Sequence, residues 1–429
     1  MLIALPFIIL FSLIVIGMPI AFALLAASIV TLEVMGVPPL ALVPTLLYQS
    51  VQSFTLLAIP FFVLTAEIIS SGELIDRIFD VARGWFGRLP GGMGTVTTIA
   101  CAIFGGIQGS SAADAAAIGK IGTQGMSREG WDLGFSGALI AAAGSLAILI
   151  PPSIAMLIYA SLTDASVGRL FFGGVIPGLI LVGMFILYLA FAAKKLNLAP
   201  DHVRRYTFAE KMAFTRRAGG ILLLPVIVLY GFYTGLLTAT EIGTITTVYS
   251  LFLALFVHRT LKVRDIWGVF ERSAVTSIKI FIIIAAAILF AKVLTFLQVP
   301  NHIVAMVNHA HLNGYEFLLV VSGIMFVLGM FMEAVALNVL TTPIFAPIAQ
   351  SLGIDLVHYG IVVILNIEIA LITPPVGLNL FVMSSATDID LGELYWKVWP
   401  FIVLLIVALL LFIFLPQLSL ILPNLLLGK

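Results

Sequence analysis

Residues 370–388 read ALITPPVGLNLFVMSSATD, an apolar stretch with two consecutive prolines and a glycine at its centre. Proline removes a backbone donor and clashes with the preceding turn, so Pro374 and Pro375 predict a helix broken near its middle. Such a break is tolerated inside a membrane only where the freed backbone is buried in protein or lines a polar cavity. The fold therefore turns on whether the rest of the chain is membrane-embedded and on what meets this break.

The composition answers the first point. Of 429 residues, 61% are hydrophobic and 10% charged, against about a quarter charged in an ordinary soluble domain. Apolar runs of roughly 20 residues, each able to cross the hydrocarbon layer, recur from end to end and leave no room for a separate soluble domain. The N-terminal run MLIALPFIILFSLIVIGMPIAFALLAAS lacks a basic leader and a cleavage site, and reads as a retained membrane helix. A single cysteine, Cys101, excludes an intrachain disulfide. With 21 basic and 21 acidic residues the chain is neutral, which disfavours nucleic acid as a partner.

Basic residues are unevenly placed. They crowd into 72–89, 194–217 and 258–272, which the positive-inside rule assigns to the cytoplasm, whereas none occurs between Lys292 and Lys397. Two cytoplasmic loops require an even number of crossings between them, so 219–257 is expected to hold two helices turning near 234–241. Working outward predicts about ten full crossings and two re-entrant hairpins, with both termini outside.

The chain also repeats itself. LIPPSIAMLIYASLTDAS at 149–166 resembles 371–390, with Pro151 and Pro374 223 residues apart and Asp164 and Asp388 224 apart. At that spacing IFGGIQGSSAADAAA (103–117) falls on VLGMFMEAVALNVLT (327–341), and the basic segment 72–89 falls on the outside segment 296–313. Matching segments on opposite faces define an inverted-topology repeat, an architecture of secondary transporters. The first repeat is predicted over 1–195, with an amphipathic arm at 72–89, a hairpin at 92–124 and a broken helix at 133–163. A cytoplasmic linker follows at 196–218. The second repeat spans 219–429, with an arm at 298–312, a hairpin at 314–350 and a broken helix at 355–386. The fold class is an all-α polytopic membrane protein with two re-entrant hairpins and two proline-broken helices.

The first hairpin should turn near Gln108-Gly109-Ser110-Ser111, where glycine permits a tight backbone and two hydroxyls offer ligands. The second tip is expected near Phe331-Met332-Glu333-Ala334. Carbonyls freed by Pro151-Pro152 and Pro374-Pro375 then point at the tips, forming oxygen-rich cages suited to sodium, while the adjoining half-helix N-termini favour an anionic group. Asp114 and Glu333 are costly in lipid and read as functional by default, although Asp114 also fits a cap or a partner for Lys120. His302, His309 and His311 cluster but lack zinc spacing. The arms read as interfacial helices; in the first, Leu74, Ile75, Ile78, Phe79, Ala82 and Phe86 share one face.

These residues are specific enough to suggest a family. GMPIAFAL (17–24), GGIQGSSAADAAAIG (105–119), LIPPS (149–153), GLLTATE (235–241) and TPPVGLNLFV (373–382) together resemble the large membrane subunit, the DctM-like M subunit, of tripartite ATP-independent periplasmic (TRAP) transporters. The resemblance spans essentially the whole chain. It implies an elevator-type fold of the ion-transporter superfamily in a bacterial inner membrane, driven by sodium, with two or more sodium ions and no organic cofactor. It also implies two separate partners, a small four-helix membrane subunit (Q type) and a periplasmic substrate-binding protein (P type), and a carboxylate substrate of the sialic acid or C4-dicarboxylate class. By resemblance the first sodium site uses Gly109, Ser110 and Ser111 with carbonyls around Ala147, Ile150 and Pro152. The second uses Met332, Glu333, Thr373 and Gly377, and Gln108, Asp114, Asn338 and Asn379 support substrate or site.

Two alternatives compete with this reading. A self-sufficient sodium/carboxylate symporter would share the fold without the partners. An intramembrane enzyme using Asp114 or Glu333 as acid or base needs a paired nucleophile or metal, and the sequence offers none convincing. An ATP-driven pump is disfavoured because no GxxxxGK[ST] loop occurs.

Overall fold

A computed structural model describes residues 2–70, 74–196 and 205–428, and those residues form helices and their connections with no strand among them. The first half holds α1 (Leu5–Val15), α2 (Ile20–Val34), α3 (Pro39–Ser50), α4 (Ala58–Ser70), α5 (Leu74–Phe86), α6 (Gly92–Gln108), α7 (Ser111–Arg128), α8 (Leu133–Ser145), α9 (Ile154–Thr163) and α10 (Val167–Lys195). The second holds α11 (Phe208–Thr234), α12 (Ala239–Phe252), α13 (Ile266–Phe296), α14 (Val299–His309), α15 (Gly314–Gly329) and α16 (Ala334–Ser351). It ends with α17 (Leu356–Ile372), α18 (Leu378–Thr387), α19 (Leu391–Lys397), α20 (Trp399–Phe414) and α21 (Gln417–Leu427). Helices α5 to α9 and α14 to α18 begin 222 to 225 residues apart, so the element order repeats at the spacing read from the proline pairs.

Both predicted breaks are present. One separates α8 from α9 through a 3-10 turn at Leu146–Ile148, the other separates α17 from α18, and each holds a cis Pro–Pro peptide bond. The halves interlock: α9 packs on α16 and α18 packs on α7, so each broken helix touches the hairpin of the opposite repeat. At the centre lies α17, buried at every residue from Val357 to Ile372, which suits a helix apolar on all sides.

Five helices are long and apolar enough to cross a membrane, or up to seven if bent pairs count as single spans. The expected ten crossings are thus not met by uninterrupted helices, because glycine and proline cut the apolar runs into pieces of 10–17 residues. In α10 and α11, 28% and 22% of the most apolar stretch is buried, against 67% in α16. The former present their apolar surface outward, whereas α16, which the sequence reading treated as half a hairpin, sits inside.

The expected linker at 196–218 is helical from Phe208, because Thr207 and Glu210 form a capping box that starts α11 eleven residues earlier. Residues 197–204 lie outside the described residues, as do Gly72 and Glu73 of the first arm. In α5, Ile78, Phe79 and Ala82 are buried as the amphipathic pattern requires, but Phe86 is not, being 37% exposed. The three basic segments converge at one end of the molecule. Arg77 donates to the Arg217 carbonyl and approaches His258 Nδ1 at 2.6 Å, and Trp85 donates to Thr215. Burial first and the Arg77 charge second hold His258 below its ordinary range, which keeps the ring neutral and able to accept.

Candidate functional site

The first hairpin turns at Gly109, which closes α6 in the left-handed region with φ 67°. A Cβ there would lie 2.6 Å from the Pro152 carbonyl oxygen, so the tip is pressed against the first break and only glycine fits. One turn earlier, a Cβ on Gly105 would lie 2.6 Å from Ala147 Cα, and one on Gly106 would lie 3.0 Å from the Ile150 side chain. The tip and the first break therefore lie in direct contact, with Gly109 against Pro152, Gly105 against Ala147 and Gly106 against Ile150. No backbone N–H among the described residues donates to the Ile150, Pro151 or Pro152 carbonyls.

The second hairpin meets its break differently. The Met330 carbonyl accepts the Val376 N–H at 3.3 Å, which fixes the tip against the proline pair. Tyr395 donates its hydroxyl to the carbonyls of Pro375 and Val376, and the Gly377 carbonyl accepts the Leu380 N–H at 2.8 Å. Thr373 turns its hydroxyl back to the Ile369 carbonyl at 2.6 Å. Tyr395 thus gives the second break a hydroxyl donor that has no counterpart at the first among the described residues.

Two asparagines join the repeats. Asn379 Nδ2 donates to Ser111 Oγ at 2.5 Å and to the Ala141 carbonyl at 2.9 Å, tying α18 to α7 and α8. Asn338 Nδ2 donates to the Ala155 carbonyl at 2.8 Å and its Oδ1 accepts from Thr342, tying α16 to α9. Asp114 is fully buried in the first turn of α7 with neither carboxylate oxygen hydrogen-bonded to a strong donor and only the Cys101 thiol beside it. It neither caps the helix nor pairs with Lys120 among the described residues.

A cavity of about 470 Å³ joins these parts. Gln108, Ser110, Ser111 and Glu333 reach it from the two tips, and Ile148, Ile154, Leu371 and Leu378 from the edges of both breaks. Its opposite wall is one face of α4 and one face of α13, with Ser70 and Lys279. Ser70 donates to Gln108 Oε1 at 3.0 Å, the direct polar link between that wall and the first tip. Met332, expected at the second site, is buried and lines not this cavity but another, against Phe11, Ile14 and Val15 of α1. Among the described residues no three His, Cys, Asp or Glu side chains converge as a metal cluster. A hard cation here would rest on carbonyl and hydroxyl oxygens.

Sequence reasoning passed over three residues. Ser70 gave no signal, because one serine at a helix end is ordinary. Lys279 and Glu368 did give one, each being a charge inside an apolar helical run, and Glu368 is fully buried with both oxygens unpartnered among the described residues.

A wholly helical polytopic membrane chain, whose broken helices meet helical tips at one internal cavity, has the architecture of a solute transporter. The crystal structure of the Alcanivorax borkumensis YdaH transporter matches it with a TM-score of 0.63 at 14% identity, covering 87% of this chain and 88% of that one. The sequence pattern of the tripartite ATP-independent periplasmic transporter family, DctM component, matches residues 7–418, and the chain belongs to that family. It is 42% identical over 380 residues to the C4-dicarboxylate TRAP transporter large permease protein DctM of Pseudomonas aeruginosa, covering 88% of each chain. It is 32% identical over 415 residues to the sialic acid TRAP transporter large permease protein SiaM of Vibrio cholerae, covering 96% of each. The family is one of transporter permeases, which removes the intramembrane-enzyme alternative.

Proposed function

We propose that this chain is the sodium-driven translocation subunit for a carboxylate anion, taking it from a periplasmic binding protein and releasing it to the cytoplasm of a bacterium. It works in the inner membrane beside a small four-helix subunit, as the tripartite family name supports. The observation that carries the reading is the single cavity shared by both tips, both breaks and the α4–α13 wall. Relatives named for C4-dicarboxylate and sialic acid stand at 42% and 32% identity, so C4-dicarboxylate is the class adopted and the sequence-based lean toward sialic acid is the weaker one.

The donors at the first break suit sodium: carbonyls of Ile150, Pro151 and Pro152 without N–H partners, and the Ser110 and Ser111 hydroxyls at the tip. Sodium held there supplies the positive charge that makes an anion's entry favourable. A second ion would use Met332, Glu333, Thr373 and Gly377, where the competing hydrogen bonds predict weaker binding. The repeated halves, read as inverted across the membrane, let α6–α9 and α15–α18 move together as a core against α4 and α13, an elevator motion. In this arrangement Asn338 and Asn379 hold the core as one unit, and Gln108 fastens its tip to the wall.

The test is uptake into proteoliposomes holding this chain and its small membrane partner, with binding protein loaded with [14C]succinate. The expected result is uptake that requires an inward sodium gradient and the binding protein together. Uptake of free succinate without the binding protein would instead establish a self-sufficient symporter, and uptake indifferent to sodium would remove the coupling.

A further inference from the structure

Lys279 occupies an unusual place. It lies in α13 within TSIKIFIIIAAAILFAK, seven residues beyond Arg272 and thirteen before Lys292, so its Cα sits about 10 Å along the helix from the nearest charged neighbour. Thr276, Lys279, Ile280 and Ile283 share one helical face, and all four line the cavity. Lys279 is exposed, and among the described residues it enters no ion pair. The carboxylate on this wall, Glu67, is held by Arg272 at 3.1 Å. Glu333 faces the same cavity from the second tip and is the acidic group there that a cation site would engage. A cation in a membrane-depth helix is costly and is retained where it does work.

We propose that Lys279, with the Thr276 hydroxyl one turn before it, forms an anion subsite on the wall of the cavity and binds one carboxylate of the substrate while the rest faces the hairpin tips. This deepens the carboxylate reading above and rests on it. A compact ammonium donor opposite tips that hold sodium brackets a dicarboxylate with positive charge at both ends, so the subsite selects for a second carboxylate. Because the residue belongs to the wall and not to the core, it engages the anion only in the arrangement described here. Its contribution is therefore to substrate affinity in that arrangement.

The experiment measures sodium-driven [14C]succinate uptake from the loaded binding protein, and counterflow against internal succinate, for the complete transporter with Lys279→Gln and Lys279→Arg. With succinate varied on each side of the membrane in turn, loss of one charge-assisted contact predicts that Lys279→Gln raises the half-saturating concentration in counterflow at least roughly tenfold on one side. Lys279→Arg should keep most of the wild-type affinity, and both variants should keep the wild-type melting temperature. Unchanged counterflow affinity in Lys279→Gln would overturn the subsite, as would a Lys279→Arg variant as impaired as Lys279→Gln, since that pattern marks a packing role. A wild-type transporter that moves no carboxylate under any gradient would overturn the carboxylate reading and the subsite with it.

Discussion

Gly109 concentrates the argument at the scale of a single residue. It combines a left-handed backbone with a carbonyl 2.6 Å from where a side chain would begin. Replacement by alanine adds a conformational cost of about 1–2 kcal/mol to a backbone clash that neither partner can relieve by rotating a side chain. The expected outcome for Gly109→Ala is a lower melting temperature and at least tenfold slower sodium-driven uptake; wild-type rates would show that the tip need not touch the break. Residues of this kind were legible because glycine and proline act through the backbone, and their positions alone state what the chain must do. Asn379 was legible only as a polar side chain near a break. That it fastens Ser111, 268 residues away, depends on packing that no local pattern encodes. Lys279 was visible as a charge in an apolar run, yet it belongs to none of the motifs that recur between the halves.

At the scale of elements, helix starts follow capping chemistry and helix ends follow glycine and proline. Asp132 caps α8, accepting the Phe135 N–H at 2.8 Å, and meets Lys397 at 3.0 Å, joining the start of the first broken helix to α19. Partial burial pushes its carboxyl up, but the Phe135 N–H and the Lys397 ammonium outweigh it, so the group sits below its ordinary range. A depressed carboxyl contributes stability that is fully present above its unfolded pKa and is lost as the pH falls through the folded one. The melting temperature should therefore decline as the pH drops below about 4. Asp132→Asn keeps the cap and removes the charge, so its melting curve should depend less on pH over that interval; an identical pH dependence would show that the ion pair contributes nothing. Such elements were mostly readable from sequence. The early start of α11 was missed because the basic residues of 194–217 read as a loop, whereas the Thr207–Glu210 box starts a helix at Phe208 that takes in Lys211, Arg216 and Arg217. The ten expected crossings do not map one to one onto uninterrupted helices, since hydropathy registers apolar length and not the breaks inside it.

At the scale of the whole molecule, the repeat was legible because two proline pairs and two small-residue tips recur at one spacing. The cavity was not, because its wall comes from α4 and α13, whose sequences carry no motif. The account's central claim is that a core of hairpins and broken helices moves against that wall. Ser70 and Gln108, joined at 3.0 Å across the boundary, supply the direct test. With Cys101 replaced by serine, the pair Ser70→Cys and Gln108→Cys would be oxidised in proteoliposomes and sodium-driven uptake measured before oxidation, after it, and after reduction. The account predicts uptake before oxidation, its loss when the cross-link forms, and its return on reduction. Undiminished uptake with the cross-link formed to completion would contradict it.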